Sequence, residues 1–200
     1  GWTMGAAILI AIGIAFLYFS SPERVRVANY PSAGTDVIAF GDSLVAGSGA
    51  TRGNDFISLL SRQIGQEIVN LGVPVDTTSD GLARLNRLDQ YHPKVVLLLL
   101  GGNDHLKQVP IATTFQNLAK IIQNIQSRGA VVLLLGVKGN LFGDKFAPEF
   151  EKLRDTYKTA YVPNVLNGLF GNSKYMADGV HPNDSGNKII AERIYRVLAP

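Results

Sequence analysis

Two continuous apolar runs, residues 94–100 (KVVLLLL) and 130–135 (AVVLLL), constrain the fold of this chain most strongly. Strands that are apolar on both faces are typical of a parallel sheet covered by helices on both sides. The clearest amphipathic segment between the two runs has apolar residues at helical spacing: Ile111, Phe115, Leu118, Ile122 and Ile125. Strands that alternate with such helices predict an α/β protein with right-handed crossovers.

The remaining patterns extend this alternation along the chain. Strands are predicted at residues 36–40, 67–71 and 161–162, and helices at residues 56–64, 82–88, 149–157 and 189–197. We therefore expect a three-layer α/β/α, flavodoxin-like domain with a central parallel sheet of about five strands. The 200 residues suffice for one such domain. In this fold ligands bind at the carboxyl ends of the strands, so we expect the functional site there.

Four polar residues fall near those strand ends and have the chemistry of a hydrolytic site. Ser43 lies at a strand-to-helix turn, where its hydroxyl is exposed and the helix N-terminus stabilises negative charge. His181 in the last loop can act as the base that a serine nucleophile needs, and Asp178, three residues earlier, can fold back onto the imidazole. Asn103 follows two glycines and offers an amide donor to a developing oxyanion.

Four sequence blocks carry a resemblance to a known family. They are GDSL at 41–44, the turn at 70–78, GGND at 101–104 and DGVHP at 178–182. In this order they resemble the SGNH, or GDSL-like, esterase and lipase family. The sequences that follow GGND and DGVHP look like the thioesterase, lysophospholipase and arylesterase branch of that family, and the resemblance covers residues 35–200.

The resemblance implies the SGNH hydrolase fold and a serine esterase that hydrolyses acyl esters or thioesters, such as a lysolipid, through an acyl-enzyme without a cofactor. It implies Ser43 as the nucleophile, His181 as the base and Asp178 as the residue that orients it. The oxyanion hole would consist of the Ser43 N–H, the Asn103 side chain and one N–H from the second block. A carbohydrate O-deacetylase and a catalytically inactive, membrane-tethered binding module are the alternatives.

The second block departs from the family pattern at one position. Relatives usually carry glycine two residues before the Thr-Thr pair, whereas this chain has Val75 there, after Pro74. Valine can donate its N–H as glycine does, but a β-branched residue with a positive φ would be strained. We predict Val75 as the third oxyanion donor, with Gly72 as its substitute.

The substrate pocket is the least defined part of the predicted site. His105 follows the third block and could line the pocket, or it could be a solvated loop residue. Leu141, Phe142 and Phe146 follow the fourth long strand at its carboxyl end, where they could wall an acyl pocket or simply pack onto the domain.

Composition excludes several other classes of protein. The absence of cysteine excludes a disulfide scaffold, a Cys-ligated zinc site and a Cys nucleophile. The 19 Lys and Arg residues are scattered, which argues against a nucleic-acid partner. No His or carboxylate spacing suggests a metal site, and we expect a monomer that binds no metal.

The N-terminal segment is a membrane-anchor candidate. Residues 1–21 carry no charge, and the 16 residues 4–19 are almost entirely apolar, enough for about 24 Å of helix. We predict a transmembrane anchor at 1–21, with a cleaved signal peptide as the main alternative, a tether at 22–34 and the hydrolase domain at 35–200. We expect a membrane-anchored or exported protein with its catalytic domain outside the cytoplasm, although Arg24 and Arg26 favour the opposite orientation by the positive-inside rule.

Overall fold

The computed structural model describes residues 26–137 and 145–198. Its central sheet has five strands: β1 (Asp36–Gly41), β2 (Ile68–Gly72), β3 (Pro93–Leu99), β4 (Val131–Leu135) and β5 (Ala160–Val162). Every neighbouring pair is parallel, and the strand order is β2-β1-β3-β4-β5. The predicted flavodoxin-like sheet is confirmed.

The two apolar runs form the middle of the sheet. Every residue of β4 and the last four residues of β3 are buried. A strand without a polar face needs cover on both sides, and helices supply it here. The sheet is therefore the central layer of three, and its carboxyl edge remains open to solvent for a site.

Seven α-helices accompany the described part of the sheet: α1 (Ser43–Ala46), α2 (Phe56–Ile64), α3 (Thr78–Ala83), α4 (Gly102–Leu106), α5 (Ile111–Ser127), α6 (Phe146–Tyr157) and α7 (Asp184–Leu198). Helix α2 packs against α7, and α5 packs against α3 and α6. The apolar stripe predicted for α5 is buried as expected. The helix predicted at 82–88 is instead the end of α3 followed by a 3-10 helix at Leu85–Gln90.

Part of the predicted tether packs onto the domain. Residues 26–35, which we call the N-terminal strap, lie at the amino end of the sheet, opposite the carboxyl edge. Ala28 N–H donates to the Lys158 carbonyl at 2.8 Å, and the Asn29 side-chain amide donates to the Gln126 and Ala130 carbonyls at 2.8 and 2.9 Å. The described part of the tether therefore belongs to the folded domain.

The predicted anchor at residues 1–21 lies outside the described residues. Among the helices that the structure describes, none combines the length and the apolar character needed to cross a membrane.

Candidate active site

A tight turn between β1 and α1 presents Ser43. Gly41 ends β1 where a side chain would collide with the Leu99 carbonyl and with Val45, so the chain can pass there only as glycine. Asp42 caps α1, and its Oδ1 accepts the Leu44 N–H at 3.0 Å. Ser43 is the first residue of the helix, as the strand-to-helix pattern predicts.

The carboxyl group of Asp42 is buried directly before Ser43, with 2% of the residue exposed. Burial raises the pKa of Asp42 to about 7, against the opposing effects of the Leu44 N–H bond and the charge of His181. The sequence alone does not identify this residue, because nothing in the GDSL block distinguishes a buried aspartate from a solvated one.

The loop before α7 brings a carboxylate and an imidazole together. Oδ1 of Asp178 accepts the N–H groups of Val180 and His181 at 2.8 and 2.7 Å, which folds the loop back on itself. Oδ2 of Asp178 is then 2.7 Å from Nδ1 of His181, and Nε2 of His181 is 3.0 Å from Oγ of Ser43. The three residues singled out from the sequence thus form one hydrogen-bonded series.

Hydrogen bonds also set the electrostatics of that series. The bond from His181 and the two backbone N–H groups lower the pKa of Asp178 to about 2. The carboxylate is therefore ionised throughout the neutral range. An ionised partner at Nδ1 favours the tautomer in which Nε2 accepts a proton from Ser43.

Contacts from more distant elements hold the His181 loop. Asn187 is buried in α7, and its Nδ2 donates to the Pro182 carbonyl at 2.9 Å while its Oδ1 accepts the Phe56 N–H at 3.0 Å. Gly49 has a φ of +88°, and a Cβ on it would lie 2.8 Å from Cβ of His181. The loop after α1 can therefore lie directly against the histidine.

The second block forms a turn that contains Val75. Asp76 N–H donates to the Val73 carbonyl at 3.3 Å, and Val75, the third residue of this turn, has a φ of 72°. A positive φ at that position is typical of a type II turn, which usually carries glycine there. Valine occupies it here and is 61% exposed.

The two candidates for the third donor differ in whether their N–H is already used. The Gly72 N–H donates to Oδ1 of Asn70 at 2.9 Å. Within the described residues, the Val75 N–H has no acceptor. Of the two, Val75 is the one that can donate to a ligand, and it lines the same crevice as Ser43.

Asn103 lies in α4, after β3. Its Nδ2 donates to the Asp76 carbonyl at 2.9 Å, which leaves the second amide hydrogen for a ligand. The next residue, Asp104, is buried and accepts the Thr78 N–H at 2.8 Å. The third block is thereby fixed to the second.

These groups share a crevice of about 180 Å³ at the carboxyl edge of the sheet. Ser43, Asn103 and His181 line it together with an apolar wall: Leu44, Pro74, Val75, Leu106, Leu166, Phe170 and Val180. Leu166 and Phe170 were not identified from the sequence. Their position after β5, at its carboxyl end, is the signal that could have found them.

The predicted pocket residues lie elsewhere or outside the described chain. Phe146 is 1% exposed and packs in the core against Phe115 and Phe150, so the prediction that it walls the crevice is corrected. His105 packs edge-on against Phe146, with ring centroids 5.6 Å apart, and does not line the crevice. Leu141 and Phe142 lie outside the described residues.

In residues 26–137 and 145–198, no group of three or more His, Asp or Glu side chains is arranged to hold a metal ion. A hydroxyl, an imidazole and a carboxylate in series, beside amide donors and on a flavodoxin-like sheet, are typical of the α/β serine hydrolases.

Comparison with known proteins narrows this class to one family. The model of the GDSL-like lipase/acylhydrolase family matches residues 39–189, and the chain belongs to that family. It is thus an SGNH-type serine hydrolase that acts on ester bonds.

Characterised relatives match over most of their length. Esterase TesA of Pseudomonas aeruginosa is 33% identical over 84% of this chain and 90% of its own, and an arylesterase of Vibrio mimicus is 32% identical over 83% and 89%. A crystal structure of TesA superposes with a TM-score of 0.78 at 32% identity, covering 83% of this chain and 99% of that one. The esterase AlinE4 superposes with a TM-score of 0.63 at 32% identity, covering 84% and 97%.

Proposed function

We propose that this enzyme hydrolyses acyl esters and thioesters through an acyl-enzyme on Ser43, with His181 as general base and acid and Asp178 as its orienting partner. The observation that carries the proposal is the unbroken series from Oδ2 of Asp178 to His181, at 2.7 Å, and on to Oγ of Ser43, at 3.0 Å. The Ser43 and Val75 N–H groups and the Asn103 side chain form the proposed oxyanion hole.

Acylation begins when Oγ of Ser43 attacks the acyl carbonyl carbon and gives its proton to Nε2 of His181. The carbonyl electron pair moves onto oxygen, where the three donors stabilise the negative charge. When the tetrahedral intermediate collapses, the bond to the alkoxy or thiolate group breaks, and His181 protonates that leaving group. The acyl group remains on Ser43 as an ester.

Deacylation repeats these steps with water. Nε2 of His181 takes a proton from a water molecule as its oxygen attacks the acyl-enzyme carbonyl. Collapse of the second intermediate breaks the bond to Oγ of Ser43, which recovers its proton from His181. The carboxylic acid leaves, and the enzyme returns to its starting state without any cofactor.

The wall of the crevice supports an acyl substrate. Its apolar side chains come from several elements and line the same crevice as Ser43. The names of the relatives support the same class, since they include an arylesterase and, at 30% identity, a thioesterase 1/protease 1/lysophospholipase L1 of Escherichia coli. We propose lysolipids and simple aryl or thiol esters as the substrates.

A p-nitrophenyl ester series of increasing acyl length, with Ser43→Ala as the matched inactive variant, tests the proposal. Wild type should turn over the longer esters, a serine-directed phosphonate should label Ser43, and Ser43→Ala should lose roughly 10⁴-fold or more in kcat. Activity on the acetate ester alone would favour an O-deacetylase. Absence of turnover by wild type, or labelling that survives in Ser43→Ala, would reject the mechanism.

We also propose that residues 1–21 anchor a monomeric enzyme in a membrane. Their uncharged, apolar sequence supports the anchor. With the N-terminal strap at the amino end of the sheet, such an anchor would leave the crevice at the far end of the domain, accessible from the aqueous phase.

Fractionation of full-length protein, with a variant that lacks residues 1–21 as the control, tests the anchor. Recovery of the full-length protein without detergent would reject it.

A further inference from the structure

Arg84, which directly follows α3, makes four contacts beneath the crevice. Its Nε donates to Oδ2 of Asp76 at 2.6 Å, Nη1 donates to the Leu71 carbonyl at 2.9 Å, and Nη2 donates to the Gly41 carbonyl at 2.8 Å. The guanidinium carbon also lies 4.0 Å from the centre of the Phe40 ring. The side chains of Arg84 and Asp76 are only 16% and 12% exposed.

Two of these contacts join the carboxyl ends of neighbouring strands. The Gly41 carbonyl is the last of β1, and Ser43 follows two residues later. The Leu71 carbonyl is near the end of β2, where the second block begins. One guanidinium therefore fixes the separation of the segment that carries Ser43 from the segment that carries the second block.

The third contact, from Arg84 to Asp76, links the guanidinium to the other two proposed oxyanion donors, Val75 and Asn103. Asp76 follows Val75 directly, and its N–H closes the turn onto Val73. The Asp76 carbonyl accepts the Asn103 side-chain amide at 2.9 Å. A shift of Asp76 would consequently move the Val75 N–H and the Asn103 amide together.

The geometry of these contacts requires arginine. Three donors of one planar group point at three different acceptors while one face of the group lies on an aromatic ring. A lysine has a single ammonium group and cannot keep this arrangement, even though it would keep the charge opposite Asp76.

We propose that Arg84 is a positioning residue for the reaction, one that holds the three oxyanion donors in register through Gly41 and Asp76. Arg84 touches no reacting atom, and its effect is transmitted through the groups it binds. The inference rests on the proposed oxyanion hole. Its signature is a loss in transition-state stabilisation with little change in substrate binding, since the donors act on charge that develops during the reaction.

Steady-state kinetics of Arg84→Met and Arg84→Lys on a p-nitrophenyl ester tests this inference. Both variants should lose about 10- to 100-fold in kcat, with KM within about threefold of wild type, because small displacements of catalytic groups are that costly. The second-order rate of phosphonate labelling at Ser43 should fall in parallel. Added guanidinium should partly restore the activity of Arg84→Ala.

Arg128→Met is the matched control. Arg128 also pairs with an aspartate at 2.6 Å, Asp89, but it lies at the amino end of β4, away from the crevice. This control should keep kcat within about twofold of wild type, because the pair lies away from the crevice and exposed ion pairs contribute little even to stability. If Arg84→Met lowered only the melting temperature, and kcat measured well below that temperature matched the control, Arg84 would be merely structural and the inference overturned.

A double-mutant cycle tests whether the effect passes through the oxyanion donors. Asn103→Ala should lower kcat by roughly 10²–10³-fold. The further loss in kcat caused by Arg84→Met should be clearly smaller in the Asn103→Ala enzyme than in the wild type. If the loss in kcat of the double variant equals the product of the two single losses, the inference is overturned. If Arg84→Met does not fold, Asp76→Asn replaces it in the cycle. The proposed function is tested separately, by turnover of the wild-type enzyme and by phosphonate labelling of its Ser43. The inference about Arg84 depends only on the kcat of the variants relative to wild type.

Discussion

Asp178 divides its carboxylate between the backbone and His181. Oδ1 accepts two N–H groups of its own loop, at 2.7 and 2.8 Å, so only Oδ2 faces the imidazole, at 2.7 Å from Nδ1. One short polar loop therefore builds both the turn and the orienting contact. The loop itself is fixed from outside by Asn187, which binds the Pro182 carbonyl.

This division makes Asp178→Asn a sharp test of the orienting role. The asparagine oxygen can replace Oδ1 in the two backbone bonds, which turns the NH₂ group towards Nδ1 of His181. The imidazole must then accept at Nδ1 and carry its proton on Nε2, where it cannot act as a base for Ser43. We expect a fall in kcat of about 10⁴-fold with an unchanged melting temperature. A kcat within about tenfold of wild type would mean that Ser43 and His181 act as a dyad.

Asp42 should make stability depend on pH in an unusual direction. Its folded-state pKa of about 7 exceeds the ordinary aspartate value of 3.8, so between these pH values the folded protein holds a proton that the unfolded chain has released. The free energy of unfolding should therefore fall as the pH rises from about 4 to about 7. Asp42→Asn keeps an acceptor for the Leu44 N–H but does not titrate, and we expect it to be more stable at pH 8 by about 2–4 kcal/mol.

Thermal melts at several pH values check this expectation. Asp55→Asn is the control, because Asp55 also caps a helix, α2, but is only partly buried. If the melting temperatures of Asp42→Asn and wild type change in parallel between pH 4 and pH 8, the carboxyl group of Asp42 does not titrate in that range.

The N-terminal strap predicts different outcomes for two truncations. Removal of residues 1–21 leaves the strap in place and should give a folded, active enzyme. Removal of residues 1–34 also deletes the Ala28 bond to the Lys158 carbonyl, the two Asn29 bonds and the Ser32 hydroxyl bond to the Gly129 carbonyl. We expect the longer truncation to lose about 2–4 kcal/mol of stability, at roughly 1 kcal/mol for each hydrogen bond.

Melting temperatures and ester kinetics of the two truncated proteins separate stability from activity. Because the strap lies at the amino end of the sheet and Ser43 at the carboxyl end, kcat should be the same in both. Equal melting temperatures would mean that the strap contributes nothing to folding. An unfolded product after removal of residues 1–21 would mean that the apolar segment belongs to the core.

The sequence was most informative where one local pattern determines the structure. The short apolar runs at residues 94–100 and 130–135 favour buried strands, and the spacing of Asp178 and His181 allows a contact within one loop. By contrast, Arg84 acts through carbonyls of β1 and β2, and its partners become neighbours only after the sheet assembles. The burial of Phe146 likewise depends on the packing of α6 against α5. The local sequence, an apolar residue after a Gly-rich segment, does not predict that packing.

Val75 has the positive φ that would strain a β-branched residue. Its φ of 72° is one that a β-branched residue rarely adopts, and such a conformation costs about 1–3 kcal/mol. Glycine adopts it freely, although the added freedom of the unfolded chain opposes part of the gain, by about 0.5–1 kcal/mol. Val75→Gly should therefore raise stability by about 1 kcal/mol, and kcat should hold or improve because the N–H donor is retained.

Val73→Gly is the matched control for that test, since Val73 belongs to the same turn but is not among the residues with positive φ. Glycine at position 73 has no strain to relieve and should lower stability by about 0.5–1 kcal/mol. Thermal melts of the two variants should thus move in opposite directions from wild type. If Val75→Gly melts as low as Val73→Gly, the turn does not store strain at Val75. Its N–H could still be the third donor, but the valine would then impose no strain on the turn.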